Sequence, residues 1–307
     1  MDTISTIISN FIALVPVTLA QSLILSFIVL GIMLPFRTLN FPDLTSEGAF
    51  PLGGCVCALS LAGGAPGWLA ILVAMAAGFL AGSCTAFIHL RFRIHTLLAG
   101  ILMMTMLYSI NLRLMGKSNL SVYGTPTLFD GVPFAEPGFP VSKIVVAGLL
   151  GIAVYCLLNL YFRTERGTAM RAVGSNPDMA EAQGISIWAA TIGGVGLAGA
   201  FAATSGALMV QSQGFADVNM GIGTLINGLA ALMIGEAIVG KQTIQRQLAA
   251  PFVGAIVYYQ LVSLCLAAGM PPTDLKLATG LFVLAMLALP TLKRSRGPMP
   301  ARETIRE

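Results

Sequence analysis

Nine apolar runs, most of them long enough to cross a bilayer, follow one another along this chain: 11–36, 49–62, 68–90, 96–114, 144–162, 188–210, 222–239, 248–268 and 275–292. A crossing helix needs about 20 mainly apolar residues. Segments in hydrocarbon must satisfy their own backbone polar groups, which leaves such a chain little choice but helices. The run 49–62 is too short alone and needs its polar lead-in to lie within the membrane as well. Only 10% of the 307 residues are charged and 56% are hydrophobic, against about 25% charged in an average soluble domain. A water-exposed globular surface cannot be built from that. The expected fold is all-α, a polytopic transmembrane helical bundle of about nine spans (eight to ten) with broken or short helices. It occupies 1–292, and a basic tail, 293–307, follows.

Glycine, 34 residues, and alanine are spread through the apolar runs, as expected where helices approach closely in a bilayer. The run 188–210 carries Gly196, Gly199, Ala200, Ala203 and Ala207 at small-residue spacing and reads as a packing helix. Cys55, Cys57, Cys84, Cys156 and Cys265 lack disulfide or zinc spacing, so no metal site is expected. The 17 Lys and Arg are too scattered to make a nucleic-acid stripe. The surrounding partner is the lipid bilayer. The first residues lack a basic segment, so a cleaved signal peptide is not expected.

Basic loops are retained on the cytoplasmic side of a membrane. Alternating the nine runs puts Arg37, Arg91, Arg93, Arg163, Arg166, Arg171, Lys241, Arg246, Lys293, Arg294, Arg296, Arg302 and Arg306 on one side, thirteen of the 17. Arg113, Lys117, Lys143 and Lys276 fall opposite. The C-terminus is therefore expected inside, and the N-terminus and the 117–143 loop outside. The Gly- and Pro-rich stretch 124–140 reads as a surface hairpin or short helix. The tail 293–307 reads as a polar segment near anionic headgroups.

Residues 163–185, RTERGTAMRAVGSNPDMAEAQGI, carry helix punctuation that a plain connector does not need. Residues 168–173 form a first short helix, which Gly174 stops. Asn176 is a good N-cap, Pro177 suits the first helical position, Asp178 suits the positive helix end, and Gly184 supplies the stop. The spacing predicts a rigid two-turn rod whose Met179, Ala180 and Gln183 offer a small, shallow face, with Arg166 and Arg171 just before it. Such a knob suits a groove on a soluble partner.

The stretch 171–185, RAVGSNPDMAEAQGI, resembles the coupling-helix signature of permeases in the branched-chain amino acid and ribose importer family. Residues 40–54, NFPDLTSEGAFPLGG, resemble that family's Asn-Phe motif with its following Gly and Leu-Gly pair, and the Gly-rich 221–235 resembles its counterpart in the second half. The similarity covers nearly the whole chain. Within the family, NFPDLTSEG and 97–116, LLAGILMMTMLYSINLRLMG, most resemble permeases of tryptophan- and tyrosine-type uptake. Pro42 and Asp43 stand where leucine-type permeases carry a small residue and His, which speaks against an aliphatic substrate. The resemblance implies a multi-pass permease subunit of an ABC importer in the bacterial cytoplasmic (inner) membrane. Its implied partners are a second permease copy, two ABC ATPase subunits and an extracytoplasmic substrate-binding protein. The loop from Arg166 to Gly184 would meet the ATPase, and the solute, a small polar one such as an amino acid of aromatic type, would cross by alternating access. This chain would bind no cofactor, ATP and Mg being held by the ATPase.

Polar residues are sparse within the runs and costly there unless they pair or line a cavity. The lead-in with Asn40, Asp43, Thr45 and Glu47 reads either as a broken membrane helix on the solute path or as a solvated turn whose Asp43 and Thr45 cap the next helix. Thr105, Ser109, Asn111, Asn227 and Gln260 are further candidates for the path, or for interhelical hydrogen bonds worth about 0.6 kcal/mol each. Thr105 and Ser109 share a helix face with Tyr108. Residues 235–241, GEAIVGK, have the glycine and lysine spacing of a phosphate-binding loop, but Gln242 replaces the required Ser or Thr and a membrane helix precedes it. No ATP site, and no enzyme activity, is expected of this chain. An ion-coupled carrier or channel would need carboxylates at membrane depth, where only Glu236 falls. An intramembrane enzyme would need paired Ser, His or carboxylate groups, and His89 and His95 instead flank a basic turn, where solvated or headgroup-facing positions are expected.

Overall fold

The computed structural model describes residues 2–131 and 141–271, and beyond them only positions 274, 277, 279–281 and 284. Most of the ninth apolar run, all of the tail 293–307 and residues 132–140 lie outside the described residues. The helices are α1 (Asp2–Met33), α2 (Thr45–Ala62), α3 (Gly67–Phe92), α4 (Thr96–Met115), α5 (Val141–Tyr161), α6 (Glu165–Ser175), α7 (Pro177–Ala182), α8 (Ile187–Gln213), α9 (Thr224–Val239) and α10 (Ile244–Ala267). Seven of the described helices are long and apolar enough to cross a membrane: α1 with the π-turn Leu34–Thr38 that ends it, α3, α4, α5, α8, α9 with the turn before it, and α10. The expected all-α polytopic bundle is present.

Helix α2 is the short run 49–62 joined to part of its lead-in, and it is not among those seven. Its 18 residues extend about 27 Å at 1.5 Å per residue. Thirteen of them are buried, because α3, α4 and α8 enclose it. A helix diluted with Gly, Ser and Glu is tolerated here because it meets protein around most of its circumference.

Helix α8 is the packing helix its small residues predict, lying against α1, α2 and α3. Helices α3 and α8 run antiparallel and touch through backbone: a Cβ on Gly78 would clash with the Gly199 carbonyl oxygen, and one on Gly199 with that of Gly78. With no hydrophobic drive between helices in lipid, such close van der Waals contact is what holds them together. Gly78→Val is expected to cost at least about 1–3 kcal/mol, the usual penalty of overpacking, read as a lowered thermal unfolding midpoint in detergent.

One end of the bundle gathers Arg37, Arg91, Arg93, Arg163, Arg166, Arg171, Lys241 and Arg246, at the last turns of α1, α3, α5 and α9 and in the adjoining corners. At the other end, β1 (Asn119–Ser121), after α4, pairs antiparallel with β2 (Phe215–Asp217), after α8, with Leu120 opposite Ala216. The 117–131 segment thus takes its strand partner from a distant loop instead of folding back on itself. Residues Leu128–Gly131 form a single 3-10 turn. There the Thr127 amide and hydroxyl donate to Asp130 and hold its carboxyl below the usual range.

Candidate functional site

The caps read from the sequence of 163–185 form as local hydrogen bonds. Asn176 Oδ1 accepts the Met179 N–H at 3.0 Å, Pro177 opens α7, and Gly184 takes φ +79° beyond its end. Three expectations are corrected. Helix α6 is longer than 168–173, because Thr164 caps it through the Gly167 N–H, and Gly174 does not stop it. Gly174 lies against the π-turn, where a Cβ would clash with the Thr38 carbonyl oxygen; its role is close approach, and Asn176 ends the helix. Ala180 does not belong to the outward face either. It is 3% exposed, turned toward α6 and α8, on which α7 packs. Met179 is 60% exposed, and Arg166, Arg171, Asn176, Pro177 and Gln183 are exposed with it.

From the π-turn, on which α6 packs, a strap leads into the bundle. Leu39 is buried against Gly194 and Gly174. Asn40 then adopts φ +51°, a left-handed turn that Asn tolerates better than most residues, and is exposed at the basic end. The turn buries Phe41, which meets the His89 ring edge-on at 5.1 Å. His89 is half-buried, with Nδ1 2.5 Å from the Ile94 carbonyl oxygen. Asp43 is buried and accepts both the Thr45 N–H, at 2.9 Å, and the Thr45 hydroxyl, at 2.5 Å. The Thr45 hydroxyl also lies 2.8 Å from that of Thr85 on α3. Asp43 thus satisfies a free amide at the start of α2, as an N-terminal carboxylate can, and does so away from solvent.

One turn further on, Glu47 crosses to α9. Its carboxylate accepts the Gly223 N–H just before that helix begins. Glu47, Asn111 and Tyr108 line one cleft, with Pro51, Met104 and Ile222. Asn111 is fully buried, its Nδ2 3.5 Å from the Gly48 carbonyl and its Oδ1 without a partner among the described residues. The remaining residues singled out in the sequence lie elsewhere. Thr105 and Ser109 are on the exposed face of α4, Thr105 bonded to its own helix at Leu102 O. Asn227 accepts the Tyr258 hydroxyl at 2.9 Å, tying α9 to α10. The Gln260 amide is buried without a partner among the described residues. Gly223 is not among the residues that the sequence singles out, whereas Tyr108 is, on the helix face it shares with Thr105 and Ser109 and three residues before Asn111.

The family described as branched-chain amino acid transport system / permease component matches residues 16–289. The chain belongs to that family. It is 39% identical over 277 residues to a tyrosine transport system permease protein of Clostridioides difficile, covering 90% of this chain and 91% of that one. It is 33% identical over 280 residues to an uncharacterized protein of Rickettsia prowazekii, covering 90% and 96%. A nucleoside ABC transporter permease protein of Lactococcus lactis is 27% identical over 180 residues, 55% and 56% of the two chains. No solved structure matches. This permease is therefore a membrane transport subunit and not an enzyme.

In the permease, Glu236 is engaged. Arg37 grips it in a fork, Nε to Oε1 at 2.7 Å and Nη2 to Oε2 at 2.6 Å, and Lys241 Nζ reaches Oε2 at 2.9 Å. The carboxylate that an ion-coupled carrier would need free is instead a clamp between α1 and α9. Lys241, the lysine of the phosphate-loop mimic, belongs to the same clamp, and the mimic lies on the end of α9. Arg37→Ala is expected to destabilise the permease by about 1.5–3 kcal/mol, the worth of a charge-assisted hydrogen bond. Lys241 then remains as the partner of a carboxylate whose side chain is only 4% exposed. Denaturant unfolding in detergent measures it.

Proposed function

We propose that this permease is the membrane-spanning subunit of an ATP-driven importer for an amino acid of aromatic type, energised through α7. The observation that carries the reading is an unbroken run of contacts from α7 to the cleft. Helix α7 packs on α6, α6 on the π-turn through Gly174 and Thr38, and the strap from Leu39 to Asp43 leads to α2 and Glu47, which holds the start of α9. A displacement of α7 by a partner ATPase is thereby delivered to the solute path, and alternating access follows as a shift between two packings.

The cleft encloses about 30 Å³, against roughly 300–1,000 Å³ for a ligand pocket. It is half a site. Tyr108 and Ile222 on its rim are 47% and 60% exposed, so a second permease copy placed against them would complete a path between the two. The cleft offers a carboxylate, an unpaired amide oxygen and an aromatic ring, and among the described residues its lining contains no cation. That set complements an α-ammonium group with an aromatic side chain, which agrees in chemistry with the name of the Clostridioides difficile relative.

The basic end is cytoplasmic in this reading, with the C-terminal segment 293–307 on the same side. The β1–β2 end faces an extracytoplasmic substrate-binding protein. ATP and Mg stay on the ATPase. Met179→Cys is expected to cross-link to the partner ATPase in a nucleotide-dependent way, and a permease that assembles with its ATPase yet never cross-links there is driven through another surface.

A further inference from the structure

A cavity of about 340 Å³ opens at the basic end, between the last turn of α1, the α6–α7 corner and the first turns of α10. Its floor is apolar, made by the buried Met33, Phe162 and Leu248, and its walls carry Arg37, Arg171, Ser175, Gln242 and Gln247. Among the described residues no carboxylate lines it. Glu236 neutralises only one of the two cations it holds, Arg37 and Lys241, and Arg171 adds another. Among the described residues no hydrogen bond or ion pair engages the Arg171 guanidinium. Both amides are oriented from behind: Arg246 donates to Gln242 Oε1 at 3.3 Å, and Gln247 Nε2 donates to the Lys241 carbonyl at 2.8 Å.

Retention of basic loops on one side accounts for cations spread along an interface. It does not account for two guanidiniums converging with two amides and a hydroxyl over an apolar floor. We propose that this cavity binds a phosphate-bearing anion, with the headgroup of an anionic phospholipid as the occupant that also uses the floor. Basic pockets between membrane helices on the cytoplasmic side suit such headgroups, and the planar fork of Arg171 matches phosphate oxygens, while Arg37, its own fork held by Glu236, adds charge to the wall. The site rests on the orientation proposed above. A headgroup seated between Ser175 and Gln247 would brace the α6–α7 corner against α10.

The test uses the transporter assembled with its ATPase in neutral detergent, with phosphatidylglycerol or phosphatidylcholine added and retained lipid counted by native mass spectrometry. Phosphatidylglycerol is expected to be retained in preference, and Arg171→Gln to lower its retention about fivefold, the effect of one basic side chain at an anionic surface. Arg171→Lys should recover part of that, and Gln247→Leu, away from α7, should also lower it. Arg93→Gln, at the same end but outside the cavity, should leave it unchanged. Displacement by inorganic phosphate would identify free phosphate as an equal occupant; retention against it identifies the lipid. Equal retention of both lipids, or equal losses in Arg171→Gln and Arg93→Gln, would overturn the proposal. Because lipid retention is read without transport, a failure of ATP-driven uptake in the wild-type assembly counts against the importer reading alone.

Discussion

Met179→Glu is expected to lower ATP-dependent uptake at least about tenfold, the loss of one central contact at a protein interface, while moving the permease's own stability by no more than about 0.5 kcal/mol. Met179 is 60% exposed on a capped rod, so a charge there meets water in the isolated chain and a desolvated groove only in the assembly. Ala180→Glu should do the opposite. Ala180 is 3% exposed, and a carboxylate forced into that position disrupts the packing of α7 on α6 and α8 before any partner arrives. Uptake in proteoliposomes and thermal unfolding of each variant separate the two effects. If Met179→Glu transports normally, α7 is not the seat of the ATPase.

Glu47→Gln is expected to reduce uptake of an aromatic amino acid by about 10- to 100-fold, the range set by hydrogen bonds to charged groups, with little change in folding. The amide keeps an oxygen for the Gly223 N–H and removes only the charge. Glu47→Ala removes both, so it should also destabilise the start of α9. An N-acetylated substrate tests the charge from the other side: it lacks the ammonium, so its poor uptake by wild type should fall no further in Glu47→Gln. Equal losses for the free and acetylated substrates would show that Glu47 acts on structure and not on the solute.

The features legible in the sequence were those that depend on neighbours in the chain. The α7 caps are an Asn, a Pro and a Gly at fixed offsets, and their hydrogen bonds close within four residues, so spacing alone located them. The apolar runs located the long helices because lipid penalises anything else. The burial of Ala180 was not legible, since it is set by α6 and α8 lying beneath α7. Gly174 carries the same glycine whether it stops a helix or admits a neighbouring carbonyl, and only the position of Thr38 distinguishes the two. The β1–β2 pairing and the Glu47 to Gly223 bond join residues from distant loops, the latter 176 positions apart, beyond the reach of any local pattern. Glu47 was nonetheless marked as a path residue by its cost, because a carboxylate beside an apolar helix needs a partner or a cavity, and it lines a cleft in which Asn111 Oδ1 is unpaired.

The most direct test reconstitutes the permease into proteoliposomes with its ATPase and binding protein and follows labelled aromatic amino acid. Uptake should require ATP and the ATPase together, persist when ion gradients are collapsed, and vanish with Met179→Glu. Uptake by the permease alone, driven by a proton or sodium gradient, would contradict the account.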